Sequence, residues 1–145
     1  MSCNSNDTEP LEPLVEVDYT AQNEATIKAY IAENKLDAKR TNSGLYYVIT
    51  EEGTGEYPVA SSNITVAYKG YFTDKRIFDQ SLDTGIRFDL SGVIKGWREG
   101  IPYFKEGGSG ILLIPAHLGY GSFDYRGIPG GSVLIFNVNL ISINN

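Results

Sequence analysis

The sequence predicts an α+β domain, an antiparallel sheet wrapped over one short helix. Three observations predict it. The chain has 145 residues, the size of one ordinary domain. From Gly44 onward its apolar residues recur with a period of two. A single short helical stretch, carrying the only tryptophan, interrupts those period-two segments.

The elements follow in order. Residues 1–17 (MSCNSNDTEPLEP and the residues after it) are polar, acidic and twice interrupted by proline, which predicts a flexible tail. A helix is expected over Asn23–Lys35. Ile27, Tyr30 and Ile31 fall at i, i+3 and i+4, Asn23 stands where an N-cap belongs, and Leu36 closes the apolar face. That face is expected either to pack on the domain or to pair two chains. The basic residues between Lys35 and Arg40 read as solvated surface. Residues 18–42 are thus taken as a helical extension and 43–145 as the main domain.

Strands are expected over Leu45–Thr50, Ile64–Phe72, Arg76–Asp79, Ile86–Leu90, Ser109–Ile114 and Ser132–Ile143. Ile64, Val66 and Tyr68 share one face of the second. Pro115 stops the fifth. Leu134, Phe136, Val138 and Leu140 line one face of the last, whose other face is mixed. The short helix is expected over Ile94–Phe104, with Trp97 on its apolar side and Pro102 restricting its last turn.

Composition removes several function classes. Twelve basic against 18 acidic residues give a net charge of −6. Six carboxylates and no Lys or Arg lie in the first 24 residues, so the rest of the chain is neutral. No basic stripe is offered to phosphates, so no nucleic-acid partner is expected. One Cys and one His exclude an internal disulfide and a Cys/His zinc site, and no metal or cofactor is expected. No run of 18 apolar residues predicts a transmembrane helix. Cys3 leaves two readings, a chance cysteine or the lipid-modified N-terminus of a bacterial lipoprotein whose signal segment has been removed.

Signatures of covalent and nucleotide chemistry are missing. The chain has no Walker motif, no G-x-G-x-x-G after a strand, no H-E-x-x-H and no G-x-S-x-G. Gly107-Gly108-Ser109-Gly110 precedes a strand and reads as a turn. Nothing in the spacing of Asp79, Asp83, Asp89 and Glu99 fixes a catalytic pair. What remains is an apolar set on different elements: Tyr68, Phe78, Val93, Ile94, Trp97, Tyr120 and Phe136. Such residues form either an ordinary core or an aromatic pocket. Two features favour the pocket. Trp97 sits on a short helix, and Tyr120 lies in a glycine turn instead of a strand.

Five segments carry a resemblance. They are Val66-Ala67-Tyr68-Lys69-Gly70; Phe78-Asp79-Gln80-Ser81; Val93-Ile94-Lys95-Gly96-Trp97-Arg98-Glu99-Gly100; Ile114-Pro115 with Gly119-Tyr120-Gly121; and Ile128-Pro129 with Val133 to Val138. In this order and spacing the stretch from Ser62 to Ile143 resembles the FKBP-type peptidyl-prolyl cis–trans isomerases. The resemblance implies a strongly curved sheet around the short helix and catalysis of X-Pro bond rotation during protein folding. It implies a prolyl pocket built from Tyr68, Phe78, Asp79, Val93, Ile94, Trp97, Tyr120 and Phe136. The Ile94 N–H and the Tyr120 hydroxyl are each expected to meet a substrate carbonyl. Ile86, Phe123, Tyr125 and Ile128 are expected to bind substrate around the pocket. Implied partners are proline-containing unfolded or nascent polypeptides and macrolides of the FK506/rapamycin class. The helical extension resembles that of some bacterial envelope members, so the cell envelope is the expected location and the cytoplasm the alternative. A non-catalytic chaperone or peptide-binding module of the same fold is the alternative function.

The chain departs from the family pattern at several points. Ile86 stands where many members carry an aromatic lip residue. Ser81 to Gly85 lacks the Arg that often partners the pocket Asp. Lys75 replaces a turn glycine, and Gly130-Gly131 follows Pro129 where a second proline is common.

Overall fold

A computed structural model describes residues 16–144. The expected tail, apart from its last two residues, and the lipid-anchor alternative at Cys3 lie outside the described residues.

Seven strands are found among these residues: β1 (Lys39–Arg40), β2 (Tyr46–Glu51), β3 (Asn63–Tyr71), β4 (Ile77–Gln80), β5 (Ile86–Asp89), β6 (Ser109–Ile114) and β7 (Leu134–Ile143). They form one sheet in the order β1-β2-β6-β7-β3-β4, with β5 also paired to β3. Every pairing is antiparallel. The expected strands are all present, with ends displaced by up to two residues. β1 was not expected. It is two polar residues long and carries no apolar pattern, yet Lys39 and Arg40 pair with Tyr47 and Tyr46. The sheet therefore begins before residue 43, inside the stretch assigned to the helical extension.

Two helices cover opposite faces of this sheet. Helix α1 spans Thr20–Asn34 and helix α2 spans Lys95–Gly100. The period-two pattern sorts the strand side chains between them. Inward residues Leu45, Ile64, Val66, Leu112, Leu134, Phe136 and Leu140 pack on Trp97, Ile101 and Phe104. Outward residues Tyr46, Val48, Tyr71, Leu113 and Ile135 pack beneath Ile27 and Tyr30 of α1. β7 serves both cores, as its mixed outer face requires. A bulge shifts its register against β3 after Leu140, which turns Ile143 back toward the inner core.

Helix α2 lies close against β6. A Cβ at Gly96 would stand 2.7 Å from the Ile114 side chain, and one at Gly100 2.6 Å from that of Leu112. Only six residues are α-helical. The expected continuation to Phe104 is a 3₁₀ turn, Ile101–Tyr103, with Pro102 in its first turn. Proline supplies no N–H and fixes φ, so the chain tightens there.

Helix α1 starts three residues before the expected position. Asn23 is consequently inside its first turn and is not its N-cap. It is 3% exposed, with both ends of its side-chain amide bonded to the main domain. The helix ends where Lys35 turns left-handed, and the Leu36 N–H returns to the Ile31 carbonyl. Its apolar face packs on the sheet: Ile27 is fully buried and Tyr30 is 5% exposed.

Polar contacts fix the helix at two further points. Glu24 accepts from the Tyr46 hydroxyl at 2.6 Å and pairs with Arg40 Nε at 3.1 Å. Lys75, at φ +78°, donates to the Tyr30 hydroxyl at 2.9 Å and to Asn34 Oδ1 at 3.1 Å, and stands over the Tyr30 ring.

Two outcomes are expected. Gly96→Ala overpacks the α2–β6 contact and lowers stability by about 1–3 kcal/mol in urea unfolding, with a shift in Trp97 emission. Glu24 has its pKa lowered, first by the Tyr46 hydroxyl and then by Arg40, against a desolvation effect of opposite sign. A lowered carboxylate pKa stabilises the fold above its unfolded value of about 4.3, and that stabilisation is lost as pH falls through the folded value. Stability measured below about pH 4.5 therefore falls less steeply for Glu24→Gln than for the parent chain.

Candidate active site

The residues flanking α2 make a cavity of about 470 Å³ on the inner side of the sheet. Its lining comes from distant parts of the chain. Tyr68 comes from β3, Asp79 from β4, Phe88 from β5 and Phe136 from β7. Gly92, Val93, Ile94 and Trp97 come from the run into α2, and Tyr120 and Tyr125 from the loop between β6 and β7. The volume suits a small apolar ligand group.

Trp97 is the floor. Its ring is 4% exposed and three aromatic rings stand nearly perpendicular to it. Tyr68 lies at 5.1 Å and 85°, Phe136 at 5.3 Å and 84°, and Phe88 at 5.3 Å and 80°. Edge-to-face packing directs the positive edge of one ring at the negative face of another, so the set is held by geometry as well as by area. The indole Nε1 is buried with no hydrogen-bond partner among the described residues.

Polar groups lie on the walls. The Tyr68 hydroxyl donates to Asp79 Oδ2 at 2.8 Å. Burial first, and the adjacent Asp79 carboxylate second, push the Tyr68 phenol above its ordinary range. Burial does the same for Tyr120, followed by the influence of Tyr125. Both phenols thus stay protonated as donors. The Tyr120 hydroxyl has no partner among the described residues, and its ring stacks on Tyr125 at 4.8 Å and 12°. No described acceptor takes the Ile94 N–H, while the Ile94 carbonyl receives the N–H groups of Trp97 and Arg98. No described cation pairs with Asp79, in keeping with the absence of Arg from Ser81 to Gly85.

Eight of the twelve expected residues meet on the cavity wall: Tyr68, Asp79, Val93, Ile94, Trp97, Tyr120, Tyr125 and Phe136. Four do not. Phe78 stands behind Phe136, edge-on at 5.5 Å. Ile128 is 7% exposed and belongs to the inner core. Ile86 and Phe123 are exposed, at 42% and 47%, and neither lines the cavity. Phe88 and Gly92 are wall residues that the sequence reading missed. Phe88 had a signal: it lies two residues after Ile86 on β5 and sits opposite inward-facing Ile64. The carboxylates with no fixed spacing do not converge. Asp79 is held by Tyr68, Asp89 by Ser91, and Glu99 accepts from Ser43.

A wider groove of about 550 Å³ crosses the outer sheet face, bordered by Thr50, Lys69, Gln80, Asn137 and Asn139. Apart from Tyr68, which borders both spaces, it has no aromatic lining. The smaller cavity is therefore the better candidate for recognising an apolar ring.

Comparison with known proteins agrees with this geometry. Residues 55–141 match the family model for FKBP-type peptidyl-prolyl cis-trans isomerases. The chain is 44% identical over 113 residues to the FKBP-type peptidyl-prolyl cis-trans isomerase FkpA of Buchnera aphidicola, covering 77% of this chain and 45% of that protein. It is 41% identical over 128 residues to FkpA of Escherichia coli, covering 85% and 47%. The chain thus spans about half the length of these curated relatives. The crystal structure of E. coli FkpA superposes with a TM-score of 0.76 at 39% identity, over 86% of this chain and 61% of that one. A peptidyl-prolyl cis-trans isomerase from Pseudomonas syringae superposes with a TM-score of 0.75 at 27% identity, over 91% and 100%. With the matched residues spanning more than half of the sequence and the sheet, helix and aromatic cavity in the same chain, the protein belongs to the FKBP-type peptidyl-prolyl cis-trans isomerase family.

Proposed function

We propose that this chain accelerates cis–trans rotation of X-Pro bonds in unfolded or nascent polypeptides. The observation that carries the reading is the aromatic cavity over Trp97, bordered by two hydrogen-bond donors without partners among the described residues, the Ile94 N–H and the Tyr120 hydroxyl.

The chemistry follows from the amide. Rotation about a peptide bond faces a barrier of about 18–20 kcal/mol, which is the resonance lost on twisting. X-Pro bonds exchange over tens to hundreds of seconds without help. Resonance moves charge from nitrogen to oxygen, so the planar amide is more polar than the twisted one. A water-poor apolar pocket therefore disfavours the planar ground state relative to the twisted state. A 10⁴-fold acceleration requires about 5.5 kcal/mol. No nucleophile or proton relay is needed.

In this reading the proline ring rests on Trp97 between Tyr68, Phe88 and Phe136, and Val93 closes the side. Ile94 N–H and Tyr120 OH receive flanking carbonyls. Asp79 fixes Tyr68 by their hydrogen bond, and Phe78 supports Phe136 from behind. Tyr125 meets the residue before proline. Exposed Phe123 and Ile86 are offered to the chain farther from the ring, and Ile128 holds the loop from within the core. The same cavity would accept a macrolide of the FK506/rapamycin class. An envelope location rests on the acidic tail and Cys3, and the mass of the N-terminal peptide isolated from cells tests it. A lipid-modified Cys3 supports that location, and an unmodified cytoplasmic peptide removes it.

The first test is a protease-free assay on a cis-enriched X-Pro peptide. The parent chain is expected to accelerate isomerisation, and folded Phe136→Ala to lose about tenfold or more in kcat/KM, equivalent to about 1.4 kcal/mol or more. A folded parent chain with no rate moves the function to binding without turnover. The second test is a pH profile. An unperturbed phenol loses its proton near pH 10, and both wall phenols lie above that, so kcat/KM is expected to stay constant from about pH 7 to 9. A fall within that window would mean that an ionising wall phenol controls the rate.

A further inference from the structure

The buried side chain of Asn23 joins two backbone points more than ninety residues away. Its Oδ1 accepts from the Ala116 N–H at 2.8 Å, and its Nδ2 donates to the Gly131 carbonyl at 3.0 Å. These partners fix the orientation of the amide, because only its oxygen accepts and only its nitrogen donates. Ala116 and Gly131 bracket the loop that carries Tyr120 and Tyr125. Within that loop the Gly121 N–H donates to the Ala116 carbonyl and the Gly131 N–H to the Gly121 carbonyl, both at 2.9 Å. Asn23 closes these into a ring of four hydrogen bonds, Asn23 to Gly131 to Gly121 to Ala116 and back. Tyr120 is the residue immediately before one member of that ring.

The start of α1 and the residues before it back the loop at two more places. The Ser122 hydroxyl donates to the Val17 carbonyl at 2.7 Å. The Tyr19 ring lies where a Cβ at Gly131 would stand, 2.5 Å from its nearest atoms. A long surface loop is ordinarily the mobile part of a domain. Here its base is fastened to a helix on the other side of the sheet from the cavity.

We propose that Asn23 is a positioning residue for the Tyr120–Tyr125 wall of the active-site cavity, coupling the N-terminal helix to the pocket. Its role in catalysis rests on the isomerase reading above. A buried amide that loses its partners also leaves two backbone groups unsatisfied, so a purely structural role would lower stability alone.

The test uses the full chain with Asn23→Ala, with Asn23→Asp as a second variant that keeps the acceptor for Ala116 and loses the donor to Gly131. Glu24→Gln is the control, since it loosens α1 from β1 and β2 without touching the loop. Amide hydrogen exchange at Gly121 and Gly131 is expected to accelerate in both Asn23 variants and to stay unchanged in the control. Isomerase kcat/KM is expected to fall about five- to tenfold in Asn23→Ala. In a Tyr120→Ala background the same change should have a smaller effect, because part of its target wall is already gone. Unchanged exchange at Gly121 and Gly131 overturns the proposal, and so do additive losses in the double variant or an unchanged kcat/KM in folded Asn23→Ala. A parent chain with no isomerase rate sinks the functional reading separately, and exchange alone then decides whether Asn23 clamps the loop.

Discussion

The close approach of α2 to β6 is the constraint on which the site depends. Gly96 and Gly100 are four residues apart, so they share one helix face, and that face lies on Ile114 and Leu112. A helix with side chains at those positions would ride higher above the sheet. Trp97 projects from this low helix between strands whose side chains have one parity, and Tyr68, Phe88 and Phe136 reach it from three of them. The cavity is thus a consequence of a backbone approach. The rings that wall it, Tyr125 apart, also belong to or pack on the inner core, so most of the binding surface and the core are one set of contacts.

A second constraint acts on the other face. The sheet is buried on both sides where α1 crosses it, and two of the chain's departures from its family pattern lie there. Lys75 adopts a left-handed backbone that costs a residue with a Cβ roughly 1–2 kcal/mol. Its ammonium group contacts Tyr30 and Asn34 of α1, which offsets that strain. Gly131 leaves room for Tyr19 and presents its carbonyl to Asn23. Two changes that look unrelated in the sequence are therefore fittings for the same helix.

Much of this architecture was legible in the sequence because its signals are local. β6 is found at its expected ends, since glycines precede it and Pro115 stops it. The lone Trp97 on a short helix and Tyr120 in a glycine turn pointed to a cavity, and both line one. The misses have physical reasons. β1 is two polar residues, and pairing with β2 defines it where no apolar alternation does. Phe88 carried the right periodicity, but its strand is short, and only the pairing with β3 shows that it faces Trp97. Asn23 has the residue type of an N-cap and sits near a helix start. Its partners lie 93 and 108 residues away, and no local pattern encodes them. Ile128 and Phe78 have the composition of pocket residues. Their places are set by which layer of the inner core each fills.

The contact between α1 and the outer sheet face bears on modularity. A cut at residue 43, where composition invites one, would remove β1 and strip α1 from Tyr46, Val48, Tyr71, Leu113, Val133 and Ile135. These residues would form one contiguous apolar surface on the remaining sheet, the kind of patch that drives self-association. In this chain the outer face of the family core is covered by α1. Removing the N-terminal helix is therefore expected to raise the tendency of the remaining sheet to self-associate.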